Sequence, residues 1–229
     1  MKVSIVIASY GQEQYLAQAI DSAISQSVPS EVIVVDDGGP DGSLLLVQDY
    51  ERHGLIKLVK QVNKGLASAR NAGIMNATGD YILPLDADDY LKVNCVERIL
   101  DFAERTDADV IGPSIHCFGL GEVSTILMDN PKLEDFKQGN RLAYCSAIKR
   151  SVLLEVGGYS PKMDTLGGWE DLHLWYDLMT RGKKIVTIPE PLVYYRTKEE
   201  SMWKTAEKNK DALWDQIIKD FPHIASHRK

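Results

Sequence analysis

Cysteine is scarce and unpatterned: Cys95, Cys117 and Cys145 are odd in number and show no CxxC spacing. That excludes a disulfide scaffold and points to a reducing, cytoplasmic setting. Positive charge is also in deficit. Lys and Arg total 26 against 33 Asp and Glu, a formal charge of −7, so the surface has no general pull toward nucleic acid or anionic lipid. No apolar run is long enough to span a bilayer, and any membrane contact is expected to be peripheral. The short run Val3 to Ile7 is followed at once by the polar stretch Ser9 to Gln14, so it reads as a core strand and not as a signal peptide. Internal repeats and low-complexity linkers are missing. No GxGxxG follows the first strand, which disfavours a dinucleotide oxidoreductase. Ala8 to Gln14 also lacks the Gly- and Lys/Arg-rich pattern of a triphosphate-binding loop, against a nucleotidyltransferase.

What is present is an ordinary globular composition, 44% hydrophobic and 26% charged, over 229 residues. That length suits one α/β domain able to bury a core without disulfides. The β-branched runs Val3–Ala8 and Val32–Val35, then Leu55–Val59, Tyr81–Leu85 and Asp109–Ile111, read as strands. Between them, apolar residues recur at helical spacing: Leu16, Ala19, Ile20 and Ala23; Leu44 to Tyr50 behind a Ser43 cap; Leu66, Ala69 and Gly73; Val96, Ile99 and Ala103. Repeated β-α-β order predicts right-handed crossovers and a Rossmann-like, mostly parallel sheet flanked by helices. Beyond Pro113 the rhythm is looser. Strands are expected at Val123–Met128, Ile185–Ile188 and Leu192–Arg196, and a strand followed by a helix within Ala143–Val156. A helix is expected at Glu170–Thr180, and an amphipathic tail carries Leu213, Trp214, Ile217 and Ile218.

In an open α/β sheet, ligands bind beyond the carboxyl ends of the strands. The residues found there are Ser9-Tyr10-Gly11, Asp36-Asp37-Gly38 and Asp86-Ala87-Asp88-Asp89. So many carboxylates at one edge repel one another unless cations or hydrogen-bond donors compensate them, and a hard divalent ion is the simplest compensation. A lone DxD is commonly a solvated turn or a cap, here for a helix starting near Lys92. Its place at a strand end, opposite a second acidic pair, is what gives it weight. Asn63 to Gly73 adds a third element. Gly65 lets the chain turn into a helix N-terminus, which favours anions, and Lys64 and Arg70 bring positive charge. Acidic metal ligands beside basic groups suit a metal-bound diphosphate. The blander alternatives are a cap by Asn63 and a surface ion pair for Arg70.

These segments, in their order and gaps, resemble glycosyltransferase family 2: Val3 to Tyr10, Val34 to Ser43, Asn63 to Gly73 and Gly79 to Asp89. Gly157-Gly158-Tyr159, Gly167-Gly168-Trp169-Glu170-Asp171 and Tyr195-Arg196 continue the likeness, which covers most of residues 1–200. The resemblance implies a GT-A fold, with residues 1–111 as the nucleotide-sugar half of a single domain and 112–229 as the acceptor and catalytic-base half with a helical tail. It implies an inverting transfer from a nucleotide-diphosphate sugar, expected to be UDP-linked, to a saccharide or lipid-linked acceptor, with Mg²⁺ or Mn²⁺. Ala8, Ser9 and Tyr10 would line the base pocket. Asp37, or as the less favoured alternative Asp36, would accept a hydrogen bond from the base. Asp86 would face the ribose and Asp88 would ligate the metal, with Ala87 between them; Lys64 and Arg70 would serve the diphosphate. Asp171, beside Glu170, matches the catalytic base. Trp169 is placed to stack on a sugar or to pack, and His173 to support structure or line the acceptor site. Three departures stand out. Ala8-Ser9-Tyr10-Gly11 replaces the common Pro-Thr-Tyr-Asn, Gly39-Pro40 replaces Ser-Thr, and the histidine many relatives carry after Tyr-Arg is missing. Lys198 stands in that region as a candidate direct phosphate contact. A catalytically inactive binding module of the same fold is the competing reading. It predicts binding without turnover, and the intact acidic motifs weigh against it.

Overall fold

The computed structural model describes residues 1–120, 123–126, 130–138, 140–199 and 202–228, leaving aside the side chains at 137, 138, 203 and 227. The first half follows the expected alternation. Strands β1 (Val3–Ser9), β2 (Glu31–Asp36), β3 (Lys57–Lys60) and β4 (Tyr81–Asp86) alternate with helices α1 (Glu13–Ile24), α2 (Ser43–Arg52) and α3 (Leu66–Asn76). They assemble in the order β3-β2-β1-β4, all parallel. Period-two alternation splits β1 between two cores. Val3, Ile5 and Ile7 join Leu16, Ala19 and Ile20 of α1 on one face, while Val6 and Ala8 join Ala69 and Ile74 of α3 on the other. Gly73 lets α3 lie directly on β1: a β-carbon there would stand 2.2 Å from Val6 Cγ1. Two details differ from expectation. Ser43 is the first residue of α2 and not its cap, since the N-cap is Gly42 and the Ser43 amide donates to Asp41 Oδ1 at 3.2 Å. Strand β3 begins two residues late, leaving Leu55 exposed in the preceding turn.

Beyond β4 come β5 (Tyr90–Leu91), α4 (Cys95–Thr106), β6 (Val110–Gly119), β7 (Ser124–Ile126), β8 (Ala147–Lys149), α5 (Arg150–Val156), α6 (Pro161–Leu166) and α7 (Glu170–Thr180). They are followed by β9 (Ile185–Thr197), α8 (Met202–Lys208) and α9 (Lys210–Asp220). Strand β8 joins β4 to β6 in antiparallel pairing, and β6 runs parallel to β9. The two strands expected at Ile185–Ile188 and Leu192–Arg196 are one strand. The register jumps from Pro113↔Ile188 to Ser114↔Pro191, so Pro189 and Glu190 form a bulge that absorbs two prolines without ending the strand. Strand β6 is correspondingly longer than Asp109–Ile111. Of the stretch expected at Val123–Met128, Ser124–Ile126 is strand; Leu127 and Met128 lie outside the described residues. The pairing of β5 with β9, Tyr90 opposite Tyr194, matters most for the site. It draws the end of β9 across the loop that follows β4. No helix among the described residues is long and apolar enough to cross a membrane.

Candidate active site

The carboxyl ends of β1, β2 and β4 open onto a cavity of about 540 Å³. Ala8, Ser9, Tyr10, Asp37, Asp86, Ala87 and Asp88, all named from the sequence, line it together. Tyr195, of the Tyr195-Arg196 motif, lines it too, as do Asp164 and Met202, which sequence reasoning did not single out. Tyr10 is half exposed while Ser9 is buried, its hydroxyl without a partner among the described residues. Asp37 is committed to shaping the wall. It accepts Gln61 Nε2 at 2.6 Å, the Lys64 amide at 2.9 Å and the Gly65 amide at 3.0 Å, fixing the β3–α3 loop. Asp36 is buried behind it with Oδ1 unpartnered among the described residues. Burial above all, with Asp37 and Asp41 adding repulsion, holds its carboxyl above the usual range.

The basic element differs from expectation in three ways. Lys64 contributes its backbone amide, while its side chain is exposed and outside the cavity lining. The anion at the N-terminus of α3 is supplied by the protein: Asp164 Oδ1 accepts the Ala67 amide at 2.9 Å and Oδ2 the Ser68 amide at 3.3 Å. Gly65, at φ +93, is required there because a β-carbon would stand 2.6 Å from the Asp164 carboxylate. This cap comes from 97 residues away in sequence, so no local signal announces it. Arg70, expected on the diphosphate or in a surface pair, is buried and paired inside the protein. Only 2% exposed, it donates Nη2 to Asp86 Oδ1 at 2.6 Å and Nη1 to Glu170 Oε1 at 2.5 Å. Tyr144 and Tyr159 lie against its guanidinium, 5.4 and 5.2 Å from it. Arg70 thus ties the strand-end cluster to the distant Glu170-Asp171 pair.

Asp86, Asp88 and Asp89 bring one carboxylate oxygen each within 4.8 Å of one another. Oxygen donors in this number suit a hard divalent ion, yet the protein already answers each charge. Arg70 meets Asp86. Lys198 Nζ contacts Asp88 Oδ2 directly. Asp89 caps no helix; buried, it accepts Tyr144 Oη at 2.5 Å and the Arg196 amide at 2.7 Å. Burial first, then Asp86 and Asp88, push its carboxyl well above the usual carboxylate range, so Asp89 acts as a strut and Asp88 as the carboxylate facing the cavity. Arg196 secures the arrangement through Nε to the Asp88 carbonyl at 2.8 Å, with its guanidinium stacked over Tyr15 at 4.4 Å.

Glu170 and Asp171 open α7, where carboxylates favour the helix dipole. The turn before them is unusual: Gly167, Gly168 and Trp169 all have positive φ, at +91, +141 and +63. A non-glycine residue in that region is costly and concentrates at functional sites. Trp169 packs edge-on to Trp214 at 5.7 Å, and the glycines admit α8, since β-carbons would meet Thr205 and Ala206 at 3.0 and 3.2 Å. His173 is structural, bonded to Asp220 at 3.1 Å. Asp171 receives Asn140 Nδ2 at 2.8 Å on Oδ2 and the Leu172 amide at 2.7 Å on Oδ1. Burial and then the neighbouring Glu170 raise its carboxyl to about 7, the range of a general base working near neutrality.

The central, mostly parallel sheet with its flanking helices is the GT-A fold of glycosyltransferases. The first 349 residues of S. aureus TarS, solved in complex with UDP, superpose with a TM-score of 0.75 at 20% identity, covering 98% of this chain and 71% of that one. The chain belongs to glycosyl transferase family 2, whose family model matches residues 4–162. An uncharacterized glycosyltransferase of a Nostoc species is 33% identical over 215 residues, 86% of this chain and 65% of the relative; the chain therefore spans a little under two thirds of that protein. Across 99% of this chain and 89% of its own length, an Escherichia coli UDP-Glc:alpha-D-GlcNAc-diphosphoundecaprenol beta-1,3-glucosyltransferase, WfaP, is 28% identical.

Proposed function

We propose that the protein is an inverting glycosyltransferase that moves a sugar from a UDP-linked donor to a hydroxyl of a saccharide or lipid-linked acceptor. One observation carries the reading. Arg70 joins Asp86 of the strand-end cluster to Glu170 beside Asp171, two carboxylate sites 84 residues apart in sequence (170 − 86) held as one unit. Inversion calls for a carboxylate that takes the acceptor proton and, apart from it, positive charge for the departing diphosphate, which carboxylates supply when they hold a divalent ion. UDP in the TarS complex and the UDP-Glc and undecaprenol-linked acceptor in the WfaP name favour the donor and acceptor classes.

In this reading the base lies against Ala8, Ser9 and Tyr10, and the wall fixed by Asp37 orients it. Asp86 faces the ribose, and Mg²⁺ or Mn²⁺ would be held chiefly by Asp88, with Asp86 as a second ligand. When bound, that ion supplies positive charge to the leaving diphosphate. Asp171 takes the proton of the acceptor hydroxyl as its oxygen bonds to the anomeric carbon and the bond to the diphosphate oxygen breaks. Glu170, paired with Arg70, keeps the base helix in register with the donor. The cytoplasm is the expected setting, in line with three buried free cysteines. The test is turnover of UDP-, GDP- and dTDP-sugars with Mn²⁺. UDP-sugar hydrolysis or transfer, abolished in Asp88→Ala, supports the reading; failure to bind or turn over any nucleotide-sugar refutes it.

A further inference from the structure

Lys198 is the cation on the cavity side of the cluster. Among the described residues it is the one cation within ion-pair distance of Asp88. Its other neighbours hold it loosely: Gln12 Oε1 at 3.5 Å and the Tyr15 ring at 5.4 Å. It also lines a second cavity of about 630 Å³ beside the donor cavity, so it has open space on both sides. Arg196, two residues earlier, is pinned by its amide, its guanidinium and a ring stack. The strand end is therefore held at three points, whereas the lysine beyond it has one ion-pair partner and two longer contacts.

Building on the donor reading above, we propose that Lys198 is the resident cation of the donor site. It holds Asp88 while the site is empty and crosses to the diphosphate when the donor enters, so nucleoside diphosphate binds without divalent metal. An ammonium on a flexible stem is a point charge with rotatable donors, free to change anionic partners, and a diphosphate carries more negative charge than one carboxylate. A metal ion approaching Asp88 must first displace the same ammonium. Lys198 is thus a positioning residue for the donor and a competitor of the metal at one carboxylate.

The test is calorimetric titration of UDP into the protein, in EDTA and in Mn²⁺, for wild type, Lys198→Ala and Lys198→Arg. Mn²⁺ binding to the nucleotide-free proteins is followed by electron paramagnetic resonance, and thermal midpoints verify that all three fold. Wild type is expected to bind UDP in EDTA. Lys198→Ala should weaken that binding about tenfold or more, the loss of one charge-assisted hydrogen bond, and Lys198→Arg should restore part of it. With UDP absent, Lys198→Ala should bind Mn²⁺ more tightly than wild type. If wild type binds UDP with Mn²⁺ but loses it in EDTA as fully as Lys198→Ala does, the role of Lys198 is refuted and the donor reading stands. If wild type binds UDP in neither condition, both fall.

Discussion

Two cations answer the two outer carboxylates of the strand-end cluster, and they differ in every respect that matters. Arg70 is almost fully buried, bidentate across two carboxylates and flanked by two tyrosines. Lys198 has one carboxylate partner, 23% side-chain exposure and cavity space on either side. A buried guanidinium with two partners cannot leave without stranding both charges, whereas a half-buried ammonium gives up one carboxylate and two looser contacts. The first joins the strand-end cluster to the Glu170-Asp171 pair; the second is the cation we propose to change partners. Motif reading alone had assigned both arginine and lysine to the phosphate.

The comparison breaks first at Arg70. Arg70→Met leaves Glu170 buried without its cation and Asp86 half-buried without its own, and should cost about 3–5 kcal/mol of stability in denaturant titration. A loss below about 1 kcal/mol, the size of a surface pair, would put Arg70 on a level with Lys198. A smaller effect concerns the base that Arg70 helps to place. Because the Asp171 carboxyl is raised to about 7, kcat/KM should fall about tenfold per pH unit below that value as the base is protonated. A profile flat from pH 5 to 8 would contradict this. The same group carries a stability consequence of known sign. Its folded value lies above its ordinary 3.8, so the folded state binds the extra proton and stability falls as pH rises from about 4 to 7. Smallest of all, Lys198→Ala should change stability by less than about 1 kcal/mol, and a loss as large as that of Arg70→Met would erase the distinction.

The first half of the fold was legible because buried parallel strands and amphipathic helices each write a period into the sequence. Three strand ends followed from that, and with them the carboxylates at the ends of β2 and β4. What was hidden depends on contacts between segments far apart. Asp164 caps α3 from α6, a six-residue helix too short to show periodicity. Pro189 and Pro191 look like a strand break and are a bulge within β9. Arg70 shares its motif with Lys64, and nothing local tells that Glu170 comes to meet it.

The most direct test pairs turnover with donor affinity in Asp171→Asn, which keeps the shape of the side chain and removes its basicity. UDP-sugar binding should match wild type while turnover falls about 10²- to 10⁴-fold, the range for a lost general base. Turnover at the wild-type rate would show that another group accepts the proton and would contradict the division of labour between the donor cluster and Asp171.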